Sequence, residues 1–314
     1  MKNLIILAIL CILLFNSACF SSDKRTKPQK TFVQIGIFLT QLDRIDVKAQ
    51  SFYAEFYLNM KWKGEHSPKN FEFLNANSFE KYFFQEWVDK DTNWLACKIR
   101  GTFRCKMDVS NFPLDEQKLL IEIGDFVWVE DNLTYVLNPE FTGKSRQIYS
   151  AEWYISDFKS QVERMKEWGS NFSVLQYSVM AERKTTPFLI KILIPILIVM
   201  GVSMLNLFID KRELESCIGL GVTSLLSIIA LYFSISGNLP DVNYATTVDK
   251  MMMGSYLVIF ISMIEIVVAH NLILKKKQLL LNKIEIASKW IIPSGYLLFL
   301  ALIFLRIDLL WFLR

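Results

Sequence analysis

The hydrophobic pattern of the chain changes once, close to Pro187. Before this residue, apolar and polar positions alternate with a period of two, and after it long apolar runs take over. Short alternating segments are typical of β-strands, and runs of about 20 apolar residues are typical of membrane-spanning helices. The sequence therefore predicts an all-β sandwich outside the membrane followed by a four-helix transmembrane domain.

The alternating region contains several short strands separated by turn-like segments. The clearest strands are TFVQIGIFL, SFYAEFYLNMKW, QKLLIEIGDF and FSVLQYSVMAER. The segments DKDTN and EWGSN interrupt the alternation, and a short helix is expected near Pro68 to Phe71. Short strands at this spacing indicate a β-sandwich.

Four apolar runs predict the membrane spans. They are Pro187 to Ile209, Ser216 to Gly237, Met251 to Ala269 and Trp290 to Leu305. Lys191 interrupts the first run, and its side chain is expected to reach the membrane–water interface. The same is expected of Arg306 and Asp308, which follow the last run. Glu265 interrupts the third run near its end, five residues before His270, and an acidic group inside a membrane is a functional candidate.

The N-terminus has the pattern of a secretory signal, with Lys2, an apolar run and a small-residue region that ends at Ala18. The cysteine that follows, Cys19, hints at lipidation. We predict a signal peptide over residues 1–19, an exported domain over 20–185 and a pore domain over 186–314. Lysines between the last two spans place that connection in the cytoplasm: Lys275, Lys276, Lys277, Lys283 and Lys289.

Composition excludes several classes of function. The net charge of +4 over 314 residues follows from the membrane topology and gives no reason to expect nucleic acid as a partner. The two histidines, His66 and His270, lie far apart in the chain, and no phosphate loop or catalytic motif is present. We therefore expect neither an enzyme nor a bound metal or cofactor.

A disulfide between Cys97 and Cys105 is not expected. On one continuous strand these cysteines would lie roughly 26 Å apart, which is too far to bridge. They would face each other only if Arg100-Gly101 formed a hairpin turn, which is the less favoured alternative.

The second span carries small and hydroxylated residues on one helical face. Gly219, Thr223, Ala230, Ser234 and Gly237 recur at spacings of three, four and seven, and Glu215 lies just below them. Small residues let helices pack closely, whereas a face that meets water would line a pore. The residues alone favour neither explanation.

The segment FRCKMDVSNFPLDEQKLLIEI resembles the loop that gives its name to the Cys-loop receptors, the pentameric ligand-gated ion channels. The resemblance extends to Trp62, to the basic Arg183 before the first span, to Pro195 within it and to Leu239-Pro240 after the second. Animal members have a second cysteine where this chain has Leu119. Bacterial members also lack it, so the resemblance points to a bacterial branch.

The resemblance implies a homopentamer in the lipid bilayer of a bacterial inner membrane, with the exported domain outside the cytoplasm. Its second span would line the pore, and the Glu215 ring would favour monovalent cations. The chain lacks the Pro-Ala sequence that is usual in anion channels. The implied pore-lining residues are Glu215, Gly219, Thr223, Leu226, Ala230, Phe233, Ser234 and Gly237. The implied coupling residues, between binding domain and pore, are Pro113, Asp115, Arg183 and Pro240.

The resemblance also implies an agonist site between subunits, lined by aromatic side chains. The implied residues are Tyr57, Phe126, Trp128, Trp168 and Phe172. Cation–π contacts of about 0.5 to 2 kcal/mol each would hold an amine. For Phe126 and Phe172, a place in the sandwich core is an equally good explanation. The sequence does not identify the agonist. Three alternative functions remain: a non-conducting sensor, an anion channel and a proton-coupled transporter.

Overall fold

The structure is a computed structural model that describes residues 30–237 and 239–305. The predicted signal peptide with Cys19, and the predicted interfacial role of Arg306 and Asp308, lie outside the described residues. Ten strands are followed by four long helices. The predicted combination of a β-sandwich and a four-helix membrane domain is confirmed.

The strands form two sheets. The six-stranded sheet has the order β4-β5-β2-β1-β7, with β8 also paired to β1, and the four-stranded sheet has the order β3-β6-β10-β9. The strands are β1 Thr31–Asp46, β2 Ser51–Lys63, β3 Glu72–Phe73, β4 Ala76–Asp89, β5 Thr92–Arg104, β6 Glu116–Gly124, β7 Leu133–Leu137, β8 Gly143–Lys144, β9 Trp153–Glu167 and β10 Ser170–Arg183. Single-turn helices span Pro68–Asn70 and Pro139–Phe141.

Alternation along β1 explains how the sandwich closes. Val33, Ile35, Ile37 and Leu39 are buried, whereas the polar or aromatic residues between them face outward. They meet the inward residues of β6 and β10, such as Ile121, in one continuous core. This burial removes the apolar face of each sheet from water, which is the main favourable contribution to folding.

The three cysteines that the structure describes, Cys97, Cys105 and Cys217, are free thiols, and β5 runs straight through Arg100 and Gly101. The hairpin alternative for this segment is therefore wrong. Cys97 lies in the sandwich core, where burial raises the pKa of its thiol to about 12. A thiol held protonated in this way has little reactivity.

Four helices within the described residues are long and apolar enough to cross a membrane: α1 Thr186–Phe208, α2 Leu214–Ser236, α3 Thr247–Leu274 and α4 Gln278–Phe304. The first contains a wider π-turn at Leu189–Leu193, directly before Pro195. Proline has no N–H to give to the preceding turn and crowds its carbonyl, and the wider turn accommodates this. The predicted domain boundary at residues 185 and 186 falls between β10 and α1.

The last two helices are longer than their apolar runs. Helix α3 begins at a capping box in which Thr246 and Asp249 satisfy each other's backbone N–H groups. Helix α4 begins at Gln278, ahead of the predicted run, because its first turns contain the charged residues Lys283, Glu285 and Lys289. A run of apolar residues marks the part of a helix inside the bilayer and not the whole helix.

Candidate functional site

Helix α2 has two different faces. Its buried residues are Cys217, Gly221, Ser224, Ile228 and Ile235. They pack toward α1 and α3. The eight residues of the predicted pore face are exposed: Glu215, Gly219, Thr223, Leu226, Ala230, Phe233, Ser234 and Gly237. The side chains of Leu226 and Phe233 are the large apolar groups on this face, and they are 61% and 70% exposed.

The glycines of α2 separate the two explanations of its small residues. A Cβ atom on Gly221 would lie 2.9 Å from Met263 of α3, so this glycine allows close helix packing. A Cβ atom on Gly219 would meet nothing within 4 Å, and one on Gly237 would meet only the Phe233 carbonyl oxygen of the preceding turn. Helix packing within the chain therefore explains Gly221 but not the predicted pore face.

The hydroxyl groups beside this face are bonded to their own helix. Thr223 Oγ1 donates to the Gly219 carbonyl oxygen at 2.8 Å, and Ser227 Oγ donates to the Thr223 carbonyl oxygen at 2.8 Å. Such bonds satisfy the polar groups without a second helix. The face therefore combines small residues, two bulky apolar residues and hydroxyl oxygens.

Charges gather at the end of α2 that carries Glu215. Asp210, Arg212, Glu213 and Glu215 are exposed there, which gives three acidic groups and one basic group. Lys211 is an exception, since it is only 1% exposed and lies 3.5 Å from Glu265 of α3. Glu215 lies in the first turn of the helix and not at the cap position, which Glu213 occupies. The exposed charge at this end is acidic.

Three of the five predicted agonist-site residues form one aromatic cluster. Phe126 follows β6, and its ring centroid lies 5.0 Å from that of Phe172 on β10 and 5.6 Å from that of Trp168. Trp168 is 80% exposed at the β9–β10 turn, where it and Gly169 have positive φ angles of 46° and 78°. Phe172 is buried, so the cluster has one solvent-facing ring above two inner rings.

The other two predicted aromatic residues lie apart from this cluster. The Trp128 indole donates to the Ser67 carbonyl oxygen at 3.1 Å and packs edge-on against His66, which fixes it within the fold. Tyr57 lies on β2 in the other sheet, with the Lys98 ammonium 5.7 Å from its ring centroid. Within one chain, the structure does not bring Tyr57 to Phe126.

A buried ion pair lies where the sandwich meets the helices. Arg183 Nε donates to Asp115 Oδ1 at 2.7 Å, and Arg183 Nη2 donates to Asp115 Oδ2 at 3.1 Å. The guanidinium also lies 4.1 Å from the Trp153 ring centroid, and Gln117 donates to Asp115 Oδ2 at 2.6 Å. The Phe112–Pro113 peptide of this loop is cis. Contact between the two predicted partners is thus present, and their role in coupling stays a prediction.

The loop between α2 and α3 contacts the sandwich at three points that the sequence did not reveal. The Lys48 ammonium donates to the Gly237 carbonyl oxygen at 2.7 Å, the Tyr244 hydroxyl accepts from the Val109 N–H at 3.1 Å, and the Thr247 N–H donates to the Ser110 carbonyl oxygen at 3.0 Å. The fourth predicted coupling residue, Pro240, lies half-buried in this loop. Each of these contacts uses a backbone N–H or carbonyl group, which every residue type can provide, so the sequence pattern does not predict them.

Comparison with known proteins gives distant but consistent relatives. No protein-family model matches the chain. The chain is 23% identical over 269 residues to the human gamma-aminobutyric acid receptor subunit rho-3, covering 74% of this chain and 56% of that protein. It is 24% identical over 173 residues to the human rho-2 subunit, covering 54% of this chain and 37% of that protein. It is 24% identical over 210 residues to the rat rho-1 subunit, covering 65% of this chain and 44% of that protein.

These relatives, the sandwich with four membrane helices and the Phe-Pro-Leu-Asp loop decide the family. The chain belongs to the Cys-loop receptors. It spans about half the length, or less, of the curated relatives it matches. The relatives are human and rat proteins, and the bacterial origin of this Cys-loop receptor stays a prediction.

We predict that Arg183→Ala destabilises this Cys-loop receptor strongly. Removal of the guanidinium leaves Asp115 buried without its counter-ion, which commonly costs about 3 to 5 kcal/mol. The matched control is Arg164→Ala, because Arg164 pairs with Glu130 in an exposed position, where a pair contributes about 0 to 1 kcal/mol. Thermal unfolding in detergent compares the variants, and equal losses for both would contradict the prediction.

Proposed function

We propose that the protein is a ligand-gated ion channel of five identical subunits, in which the predicted pore face of α2 surrounds the ion path. The single observation that supports this proposal is that face itself, where small and hydroxylated residues stay exposed and Gly219 has open space beside it. Five-fold symmetry would turn each exposed residue into a ring. The membrane location and the receptor family support the same conclusion.

The ligand in this proposal is a small amine or amino acid. Trp168 offers an exposed π-face to an ammonium group, with the rings of Phe126 and Phe172 packed behind it. The distantly related subunits are named for an amino acid, gamma-aminobutyric acid. In a pentamer, Tyr57 and Lys98 of a neighbouring subunit would complete the site. Lys98 would then add a cationic partner for a carboxylate.

Single-channel recording from the purified protein in planar bilayers tests the function. Unitary current steps that depend on a ligand support a gated channel, with gamma-aminobutyric acid, other amino acids, amines and acidic pH as the first panel. A protein that binds a ligand without unitary steps would instead be a non-conducting sensor. Ion flux without unitary steps would indicate a transporter.

We predict that Trp168→Ala weakens activation by the ligand by about fivefold or more. Trp168 is the exposed ring of the aromatic cluster, and a lost cation–π contact of about 1 to 2 kcal/mol corresponds to that factor or more. Trp87→Ala is the control, since Trp87 is an exposed tryptophan on β4 in the other sheet. The measurement is the half-maximal ligand concentration for current, and an equal shift in both variants would remove the cluster from the ligand site.

We predict that Leu226→Ser increases current at rest or at low ligand concentration. Leu226 is the apolar side chain at the middle of the pore face, and a ring of five such groups closes a pore by expelling water from it. Val222→Ser is the control, because Val222 is also exposed on α2 but lies outside the pore-face set. Unchanged resting and evoked currents in Leu226→Ser would exclude a gate at this ring.

The proposal includes selectivity for monovalent cations, with Glu215 as the main determinant. Acidic rings at a narrow mouth raise the local concentration of cations. We predict that Glu215→Gln lowers the permeability ratio of sodium to chloride, whereas Glu116→Gln, on the sandwich, leaves it unchanged. Reversal potentials in a sodium chloride gradient provide this ratio. A wild-type channel that reverses near the chloride potential would show the alternative, an anion channel.

A further inference from the structure

Lys211 is a buried cation beside an otherwise exposed group of charges. It lies in the short loop between α1 and α2, where its chain neighbours Asp210 and Arg212 are exposed. Its ammonium donates to the Asn206 carbonyl oxygen at 2.7 Å and lies 3.5 Å from Glu265 Oε2. Lysine is almost never fully buried without a partner, so this placement requires a compensating carboxylate.

Glu265 depends on Lys211 in the same way. Ser288 of α4 donates to Glu265 Oε1 at 3.2 Å, but Glu265 Oε2 receives no hydrogen bond from any described residue. The ammonium of Lys211 is the cation that faces this oxygen. Each charge therefore compensates the other inside the helix bundle.

Other polar contacts hold the Lys211 loop in place. His270 Nδ1 lies 2.8 Å from the Lys211 carbonyl oxygen, which can only accept, so Nδ1 carries the proton. Asn206 Nδ2 donates to the Cys217 carbonyl oxygen of α2 at 2.6 Å. The loop thus connects α1, α2 and α3, and through Glu265 also α4. The position of this loop determines where α2 begins and therefore where Glu215 lies.

We infer that Glu265 is a specificity-determining residue, because it holds the charge of Lys211 inside the bundle and away from the mouth that contains Glu215. This inference rests on the proposed function. Without Glu265, the buried ammonium has no counter-ion, and its lowest-energy route to hydration is through the adjacent exposed loop. A ring of five cations would then join the mouth and offset the ring of five Glu215 carboxylates.

The experiment compares reversal potentials of four channels in a sodium chloride gradient. They are the wild type, Glu265→Gln, the double variant Lys211→Met with Glu265→Gln, and Arg212→Gln. We expect Glu265→Gln to lower the cation preference and the double variant to restore it. Arg212→Gln, which removes the exposed neighbouring cation, should raise it.

The double variant separates this role from a structural one. If Glu265 only stabilised the bundle, the removal of Lys211 as well would not restore the permeability ratio. A double variant with the ratio of Glu265→Gln, or with a raised ratio like that of Arg212→Gln, overturns the inference. If Glu265→Gln does not assemble, Glu265→Ala takes its place in this comparison, and a double variant with a raised ratio like that of Arg212→Gln still overturns the inference.

Thermal unfolding of the same proteins, with Lys211→Met added, tests the pair independently of conduction. Each single variant leaves one buried charge alone, so each should lower the unfolding temperature more than the double variant does. Additive losses would show that the two residues do not interact. A wild-type protein that never conducts would refute the proposed function and the selectivity role, whereas the pairing would still be decided by this unfolding cycle.

Discussion

The ion pair between Asp115 and Arg183 is the constraint on which the joining of the two domains depends. Both groups are withdrawn from water, and Arg183 is the last residue of β10, three residues before α1 begins. The pair fixes the loop that contains Pro113 against the strand that leads into the membrane. The same loop supplies Ser110, whose carbonyl oxygen accepts from Thr247 at the start of α3. One short segment of the sandwich therefore contacts both the strand that leads into α1 and the start of α3.

The sandwich and the four spans could be predicted from the sequence because they follow from periodicity. Alternation placed Val33 and Ile35 in the core, and long apolar runs marked the helices. The ends of α3 and α4 could not be predicted in this way, since a capping box at Thr246 and charged first turns depend on local hydrogen bonds and on solvent. The sequence also left undecided whether the predicted pore face is exposed. Small residues allow close helix packing at Gly221, whereas Gly219 lies on an open surface.

The candidate site was harder to predict from the sequence where its residues contact partners that are distant in the chain. A lone carboxylate in an apolar run, Glu265, signals that a cation lies near it, but the run does not say that the cation is Lys211, 54 residues earlier. Tyr57 and Phe126 are both aromatic, but Tyr57 lies in the six-stranded sheet and Phe126 follows β6 of the four-stranded sheet. The family resemblance supplied such positions, and the structure supplied the contacts that distinguish Trp128, held by Ser67 and His66, from the open ring of Trp168.

The hydroxyl of Thr223 has a consequence for the proposed ion path along α2. Its proton is given to the Gly219 carbonyl oxygen, so the oxygen presents only its lone pairs to the surface. In the proposed ring of five subunits, these oxygens would form a belt of acceptors without donors. A hydrated cation could then exchange a water oxygen for such an acceptor, whereas an anion would find no proton to replace those of its hydration shell.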